Sequence, residues 1–226
     1  MGRIIFVTGT DTGVGKTLLT AMLLVHLRAQ GKRVLALKPF CSGGRHDALL
    51  LHHFQSRDIA LDEVNPFHFE KPLAPYLAAG PAARDKIQPS KLLRHISQIA
   101  RHCDSLLVEG AGGLFVPLGK NWYVRDLISE LGCEVILVAR NQLGTINHTL
   151  LAERSLAALK IKSLKVVLMG QKKPDLSSKT NHGFLKEALD SQRLAGIPYL
   201  GKKASQPKAV EGSAKRLKKV LAGLVS

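Results

Sequence analysis

Short apolar runs rich in β-branched residues alternate with helical segments along the whole chain, and that rhythm leaves few architectures open. Residues 4–7, 33–37, 105–108, 134–139 and 164–169 read as strands, with 197–200 as a last short one. Their near-continuous apolar character suits strands covered on both faces, as in a parallel sheet. Residues 16–30 read as a helix stopped by Gly31 just past its end. Residues 90–102 form another, with Ser90 as N-cap and Leu92, Leu93, Ile96, Ile99 and Ala100 along one face. Residues 145–159 and 184–189 also read as helical. Val210, Leu217, Val220 and Leu221 recur at helical spacing in a terminal helix over 207–226. Such alternation predicts an α/β fold, a mostly parallel sheet with helices on both faces. At 226 residues, without an internal repeat, linker or low-complexity tract, the chain fits a single domain over 1–226.

Ligands in open α/β sheets sit beyond the carboxyl ends of the strands, so the loops carry the function. Polar or glycine-rich stretches follow strands at 8–15, 38–47, 109–113, 141–147 and 170–174, and they should converge on one rim. The first holds Gly9-Thr-Asp-Thr-Gly-Val-Gly-Lys16-Thr17, which leaves a strand and opens a helix, the setting that makes a P-loop credible. Gly9 stands one residue farther out than the strict pattern G-x4-G-K-[ST] places it. Glycines let backbone N–H groups approach phosphates, and a helix N-terminus adds a favourable dipole. Gly13, Val14, Gly15, Lys16, Thr17 and Leu18 would form the cradle of a P-loop NTPase-like fold. Lys16 would reach the β- and γ-phosphates, and the Thr17 hydroxyl would ligate Mg²⁺. Mg²⁺ usually takes one or two carboxylates plus phosphate and water. Glu109, ending the run Ser105-Leu-Leu-Val-Glu109, and Asp47, in the loop after the second strand, are the candidate acids.

Composition excludes more than it selects. Lys and Arg number 33 against 17 Asp and Glu, a formal net charge of +16, which can signal nucleic acid or acidic ligands. The basic residues are spread out, with one denser stretch from Lys202 to Lys219. Its lysines fall mostly between the apolar positions of the terminal helix, the pattern of a solvated basic face. No aromatic–basic interleaving or nucleic-acid motif accompanies them. Cys41, Cys103 and Cys133 are far apart and lack CxxC spacing, which suits a reducing cytoplasm and argues against a disulfide framework or structural zinc. No apolar run approaches the roughly 18 residues a membrane span needs. The first strand-like run begins too near Met1 to leave room for a signal peptide.

Several segments besides the P-loop stand out: Leu37-Lys-Pro39 with Ser42-Gly43, Val64-Asn-Pro-Phe67, Val108-Glu-Gly-Ala-Gly-Gly113 and Leu143-Gly-Thr-Ile-Asn-His148. With Phe6-Val-Thr-Gly-Thr-Asp-Thr-Gly-Val-Gly-Lys-Thr17, in this order up to about residue 150, they resemble the dethiobiotin synthetase family. The resemblance implies a ligase of biotin biosynthesis that uses ATP and Mg²⁺. One amine of 7,8-diaminononanoate captures CO₂ (from bicarbonate) as a carbamate, whose oxygen attacks the γ-phosphate. The second amine then displaces phosphate and closes the ring. It also implies roles. Lys16 and Lys38 would neutralise charge developing on the carbamate and phosphoryl oxygens, and Thr17, Asp47 and Glu109 would hold Mg²⁺. Thr12 and Ser42 would orient the carbamate or its amine. Glu109, Gly110, Ala111 and Gly112 would border the nucleotide, and Gly113 the substrate. Asn147, His148, Thr149 and Leu150 would begin a helix whose N–H groups receive the substrate carboxylate across a homodimer interface. Ile197, Pro198 and Tyr199 match a segment lining the nucleotide pocket. Met169 and Gly170 stand where the family often carries Asn-Asp to read adenine. Methionine cannot both donate and accept hydrogen bonds to a base. Gln171 could substitute if its loop shifts, and other nucleoside triphosphates could serve.

Other residues invite different readings. His46, His52 and His53 match no known ligand spacing, and surface histidines are commoner than a zinc site. Cys41, between Lys38 and Ser42, could have its thiol pKa lowered by nearby cations, yet the chemistry needs no thiolate and a pocket-wall role fits. Trp122 and Tyr123 read as packing rather than base-stacking residues. The competing class is a P-loop ATPase switch of the partition or septum-positioning type. Those proteins typically carry a signature lysine early in the P-loop, where this chain has Asp11.

Overall fold

The computed structural model describes residues 2–83 and 87–226. Its strands are β1 (Arg3–Gly9), β2 (Val34–Leu37), β3 (Phe40–Ser42), β4 (Phe67–Phe69), β5 (Ser105–Glu109), β6 (Pro117–Gly119), β7 (Trp122–Tyr123), β8 (Glu134–Arg140), β9 (Ser163–Met169) and β10 (Leu194–Ile197). Six of them form one sheet in the order β10-β9-β8-β1-β5-β2, with every neighbouring pair parallel. The buried runs Ile4–Val7 in β1 and Leu106–Val108 in β5 show why. Strands covered on both faces have no use for polar alternation. Beyond β1 the chain moves towards β2, and beyond β8 it moves the opposite way, to β9 and β10. Direction therefore reverses between the adjacent strands β1 and β8, and the carboxyl ends of these strands open a crevice. Helix Lys16–Arg28 packs against β1, β2 and β5, and helix Thr145–Ala157 against β8.

Several boundaries differ from expectation for identifiable reasons. Helix Lys16–Arg28 ends short of Gln30, and Gly31 takes φ 77° just beyond it. Helix Pro89–Ala100 starts at a proline whose fixed φ presets the first turn. Gln88 is therefore the N-cap, and Ser90 lies inside the helix. Of the strand expected at 197–200, only Ile197 belongs to β10, which begins at Leu194; Pro198 has no N–H with which to continue the ladder. The helix expected at 184–189 runs Asn181–Ala188. The terminal segment is two helices, Pro207–Arg216 and Lys218–Leu224, divided at Leu217, where φ −98° and ψ 15° leave the helical region. Both pack on helix Lys16–Arg28. Among the described residues no helix is long and apolar enough to cross a membrane.

Two small sheets, β3 with β4 and β6 with β7, and the helices His46–His53 and Val124–Leu131 complete the rim. None of these was expected. The 38–47 stretch read as a loop in fact holds β3 and the start of helix His46–His53.

Candidate active site

Register brings the charged residues together. β2 lies beside β5 with Leu37 opposite Val108, so the next residues, Lys38 and Glu109, emerge side by side at the carboxyl edge. On the other side of β5, Val7 of β1 stands opposite Glu109, two residues before the P-loop begins. The loop is tied down along its length. Thr10 N–H donates to the Val138 carbonyl at 2.9 Å, and Lys16 Nζ donates to the Asp11 carbonyl at 2.7 Å. Gly15, the N-cap of the following helix, takes φ 105°, a conformation side chains avoid. Lys16 is only 5% exposed. Burial first, and then the neighbouring Lys38 ammonium, push its pKa from 10.5 down to about 8, against the pull of Glu109, Asp47 and Asp11.

Glu109, 1% exposed, is the hub. Its Oε1 accepts from Thr17 Oγ1 at 2.7 Å and from Lys38 Nζ at 2.5 Å. Lys38 Nζ also donates to the Gly110 carbonyl at 3.1 Å and lies 3.4 Å from Asp47 Oδ2. Burial opposes the charge on Lys38, but Glu109 and Asp47 together outweigh it and hold its pKa above the ordinary lysine value. Asp47 sits in the first turn of helix His46–His53, a correction to its expected loop placement, and its carboxylate is half exposed. Glu109 Oε2 is buried without a hydrogen-bond partner. A buried carboxylate oxygen left unpaired is costly, and a cation beside Thr17 would satisfy it. Among the described residues no group of three or more His, Cys, Asp or Glu could hold a metal by itself. That donor set fits Mg²⁺, which takes few protein ligands and completes its shell with phosphate and water.

Asn65, whose motif was noted in the sequence without a role for that residue, holds the Lys38 backbone in place. Its buried amide donates to the carbonyls of Lys38 at 2.8 Å, Pro39 at 3.3 Å and Phe67 at 3.1 Å.

Two cavities meet at this cluster. One, of about 290 Å³, is lined by Thr12, Gly13, Gly15, Lys16, Thr17 and Leu18 of the P-loop together with Ser205. The other, of about 310 Å³, is lined by Phe40, Cys41, Ser42 and Ala111, among others. Thr12, Lys38, Asp47 and Gly112 line both. Cys41 is a buried wall residue: desolvation raises its thiol to about 11 and outweighs the lowering effect of Lys38. Ser42 Oγ is buried without a partner. A third cavity, of about 590 Å³ and more apolar, runs from Gly9, Thr10 and Asp11 past Gly113 and Phe115 to His148, Leu151 and Ala152.

The remaining expected residues fall into two groups. Met169, buried at the end of β9, lays its side chain on the P-loop, with Cε 3.1 Å from where a Cβ on Gly15 would stand. Gly170 N–H donates to the Ile197 carbonyl at 2.7 Å, which joins Met169–Gly170 to Ile197, Pro198 and Tyr199 at one edge of the sheet. Gln171 turns its amide back to the Met169 carbonyl at 2.9 Å. In the helix beginning at Thr145, His148 N–H is already donated to the Gly144 carbonyl at 3.1 Å. Thr149 is fully buried. Of residues 147–150, Asn147 keeps a first-turn amide and His148 a side chain on the large cavity. Asn147, Thr149 and Leu150 are not among the residues lining that cavity. Helix His46–His53 carries His46, His52 and His53. Trp122 is buried and its indole N–H donates to Glu130 Oε1 at 3.0 Å. Sequence reading missed Ser205 and also Arg140, which donates to the Gly13 carbonyl; both sit in segments without a motif.

A family profile described as "AAA domain" matches residues 3–206. The ATP-dependent dethiobiotin synthetase BioD of Bacillus licheniformis is 38% identical over 202 residues, 87% of this chain and 83% of the relative. The protein of the same name from Thermodesulfovibrio yellowstonii is 38% identical over 213 residues, 86% of this chain and 88% of the relative. Among solved structures, a ParA family ATPase from Chlorobium tepidum superposes with a TM-score of 0.63 at 13% identity, covering 100% of this chain and 98% of that one. The septum site-determining protein MinD from Pyrococcus horikoshii, complexed with Mg-ADP, gives 0.56 at 18% identity, covering 99% and 94%. These structural likenesses establish the P-loop NTPase-like fold.

Proposed function

The chain belongs to the family of ATP-dependent dethiobiotin synthetases, and from that premise we propose that it carboxylates and cyclises 7,8-diaminononanoate with CO₂, consuming ATP and releasing dethiobiotin, ADP and phosphate. The observation that carries this reading is the seam between two cavities, with Lys38 and Thr12 on both sides of it. A phosphate cradle and an acceptor pocket that share a lysine suit transfer from a triphosphate to an oxyanion held next door.

The reaction needs no covalent bond to the protein, so positioning and charge stabilisation suffice. One amine adds to CO₂ and loses a proton, giving a carbamate. A carbamate oxygen bonds to the γ-phosphorus as the bond to the β-phosphate oxygen breaks, releasing ADP. The second amine then attacks the carbamoyl carbon, phosphate leaves, and the ring closes. In this scheme Lys16, Lys38 and the P-loop amides hold the phosphoryl oxygens, with Glu109–Gly112 bordering them. Lys38, Thr12 and Ser42 orient the carbamate. Thr17, Glu109 and Asp47 would hold Mg²⁺, which supplies positive charge to the phosphate oxygens.

The reading extends to the rest of the molecule. Phe115 and Leu151 are exposed around the large cavity, and Leu143 precedes the helix beside it. A second copy of the chain would cover these side chains, with Gly113, Asn147 and His148 near the substrate's aliphatic and carboxylate end. The P-loop and C-terminal segments pack on one core, which supports a single functional domain over 1–226. Three buried, unpaired cysteines fit a reducing cytoplasm. Met169 offers the base no donor, so CTP and GTP should also serve as phosphoryl donors.

Purified protein supplied with the diamine, bicarbonate, Mg²⁺ and ATP should form dethiobiotin and phosphate together. Phosphate release that ignores the diamine but rises with DNA would replace this reading with an ATPase switch.

A further inference from the structure

Arg140 ends β8, and the scheme above gives it nothing to do. Gly9 of β1 stands opposite Val138, so β8 runs two residues past the end of β1 and carries Arg140 alongside the P-loop. There the guanidinium donates twice to one acceptor, the Gly13 carbonyl, from Nε at 3.2 Å and from Nη2 at 3.0 Å. Among the described residues Arg140 forms no ion pair. Gly13 itself has φ 69°, and a Cβ there would stand 2.7 Å from Arg140 Nη2. The backbone conformation favours glycine at this point, and a side chain there would push the guanidinium aside.

The direction of that carbonyl matters. A carbonyl turned into the cradle would face the phosphate oxygens with its own negative end. Across a trans peptide the carbonyl and the next N–H point opposite ways. Holding the Gly13 oxygen outward therefore turns the Val14 N–H inward.

We propose that Arg140 is a positioning residue for the P-loop: by clamping the Gly13 carbonyl it aims the Val14 amide at the β-phosphate before nucleotide arrives. The inference rests on the nucleotide reading above and deepens it. The clamp serves the β-phosphate alone, so its loss is felt by ligands that carry one and by no others.

Titration of Arg140→Ala and Arg140→Lys with MgADP and with AMP, beside the wild-type chain, tests this. Arg140→Ala should weaken MgADP about tenfold, the scale of losing a hydrogen bond to a charged group, and change AMP affinity by less than about twofold. Arg140→Lys, with one ammonium in place of a fork, should recover part of the loss. The Val14 amide resonance should shift in the unliganded Arg140→Ala protein, while its unfolding temperature stays within about 2 °C of wild type. MgADP affinity unchanged in Arg140→Ala, or AMP weakened as much as MgADP, overturns the clamp while leaving the nucleotide site standing. No MgADP binding by the wild-type chain would overturn the site and the clamp together.

Discussion

At the phosphate end of the crevice, charged side chains hold one another: Lys38 and Thr17 meet on one oxygen of Glu109, and Lys16 is pinned to the Asp11 carbonyl. At the proposed base end, Met169–Gln171 meet Ile197–Tyr199 largely through backbone atoms, with Gly170 N–H on the Ile197 carbonyl. The contrast teaches where discrimination can reside. An end built from charge recognises charge and is intolerant of substitution. An end built from backbone and a methionine would recognise shape and leave the identity of a base loosely read.

Breaking the phosphate end should have the largest effect. Lys38→Ala should lower turnover by about 10²–10³, the loss seen when one oxyanion-stabilising donor is removed. Steady-state rates near those of wild type would show that Lys38 does not act on the transferring group. At the base end the sharpest strike is Gly170→Ala, whose Cβ would fall 2.8 Å from Tyr199 N and 3.0 Å from the Pro198 carbonyl carbon. Both are backbone atoms with little room to yield, so denaturant midpoints should report a loss of about 1–3 kcal/mol. An unaltered midpoint would mean the two segments are free to part.

A pH series separates the ends further. With the Lys16 pKa near 8 against 10.5, the unfolded chain holds a proton through that window that the folded chain has given up. This group therefore makes stability rise with pH between the two values. Phosphate binding needs the ammonium, so affinity for MgADP should move the other way. It should fall as pH climbs above about 8, by up to about tenfold per unit. Adenosine, which meets only the base end, should show no such slope; a slope for both would place the titrating group elsewhere. The smallest expected change is at Met169. Met169→Asn adds a donor and an acceptor worth about 1 kcal/mol, and should raise the preference for ATP over CTP severalfold. A wild-type chain already strict for ATP would show that backbone at Gly170–Gln171 reads the base.

The same division governs what could be read from sequence. The six-stranded sheet announced itself because strands such as β1, β5 and β8 are continuous apolar runs that could be buried in no other way. Lys16 was legible from the P-loop that opens a helix and Glu109 from its place at a strand end, whereas Lys38 was singled out only by the family resemblance. Short elements were not legible. β3 and β4 are three residues each, and pairing across 24 intervening positions is set by tertiary packing. Helix Val124–Leu131 did carry a signal, since Val124, Leu127 and Ile128 are buried at helical spacing. Asp126 also accepts from Tyr123 N–H at its start. Arg140 left no mark, because at the end of an apolar strand it reads as the point where the run meets water.

The wall shared by Thr12, Lys38, Asp47 and Gly112 has a pharmacological consequence. Because the same residues line both chambers, a single compound joining a phosphate mimic to a diamine by a short tether could reach across them to occupy both. Linking the fragments would convert the second association into an intramolecular one, with an effective concentration in the millimolar range for a short flexible tether. Such a chimera should gain affinity well beyond either half without any new contact to the protein.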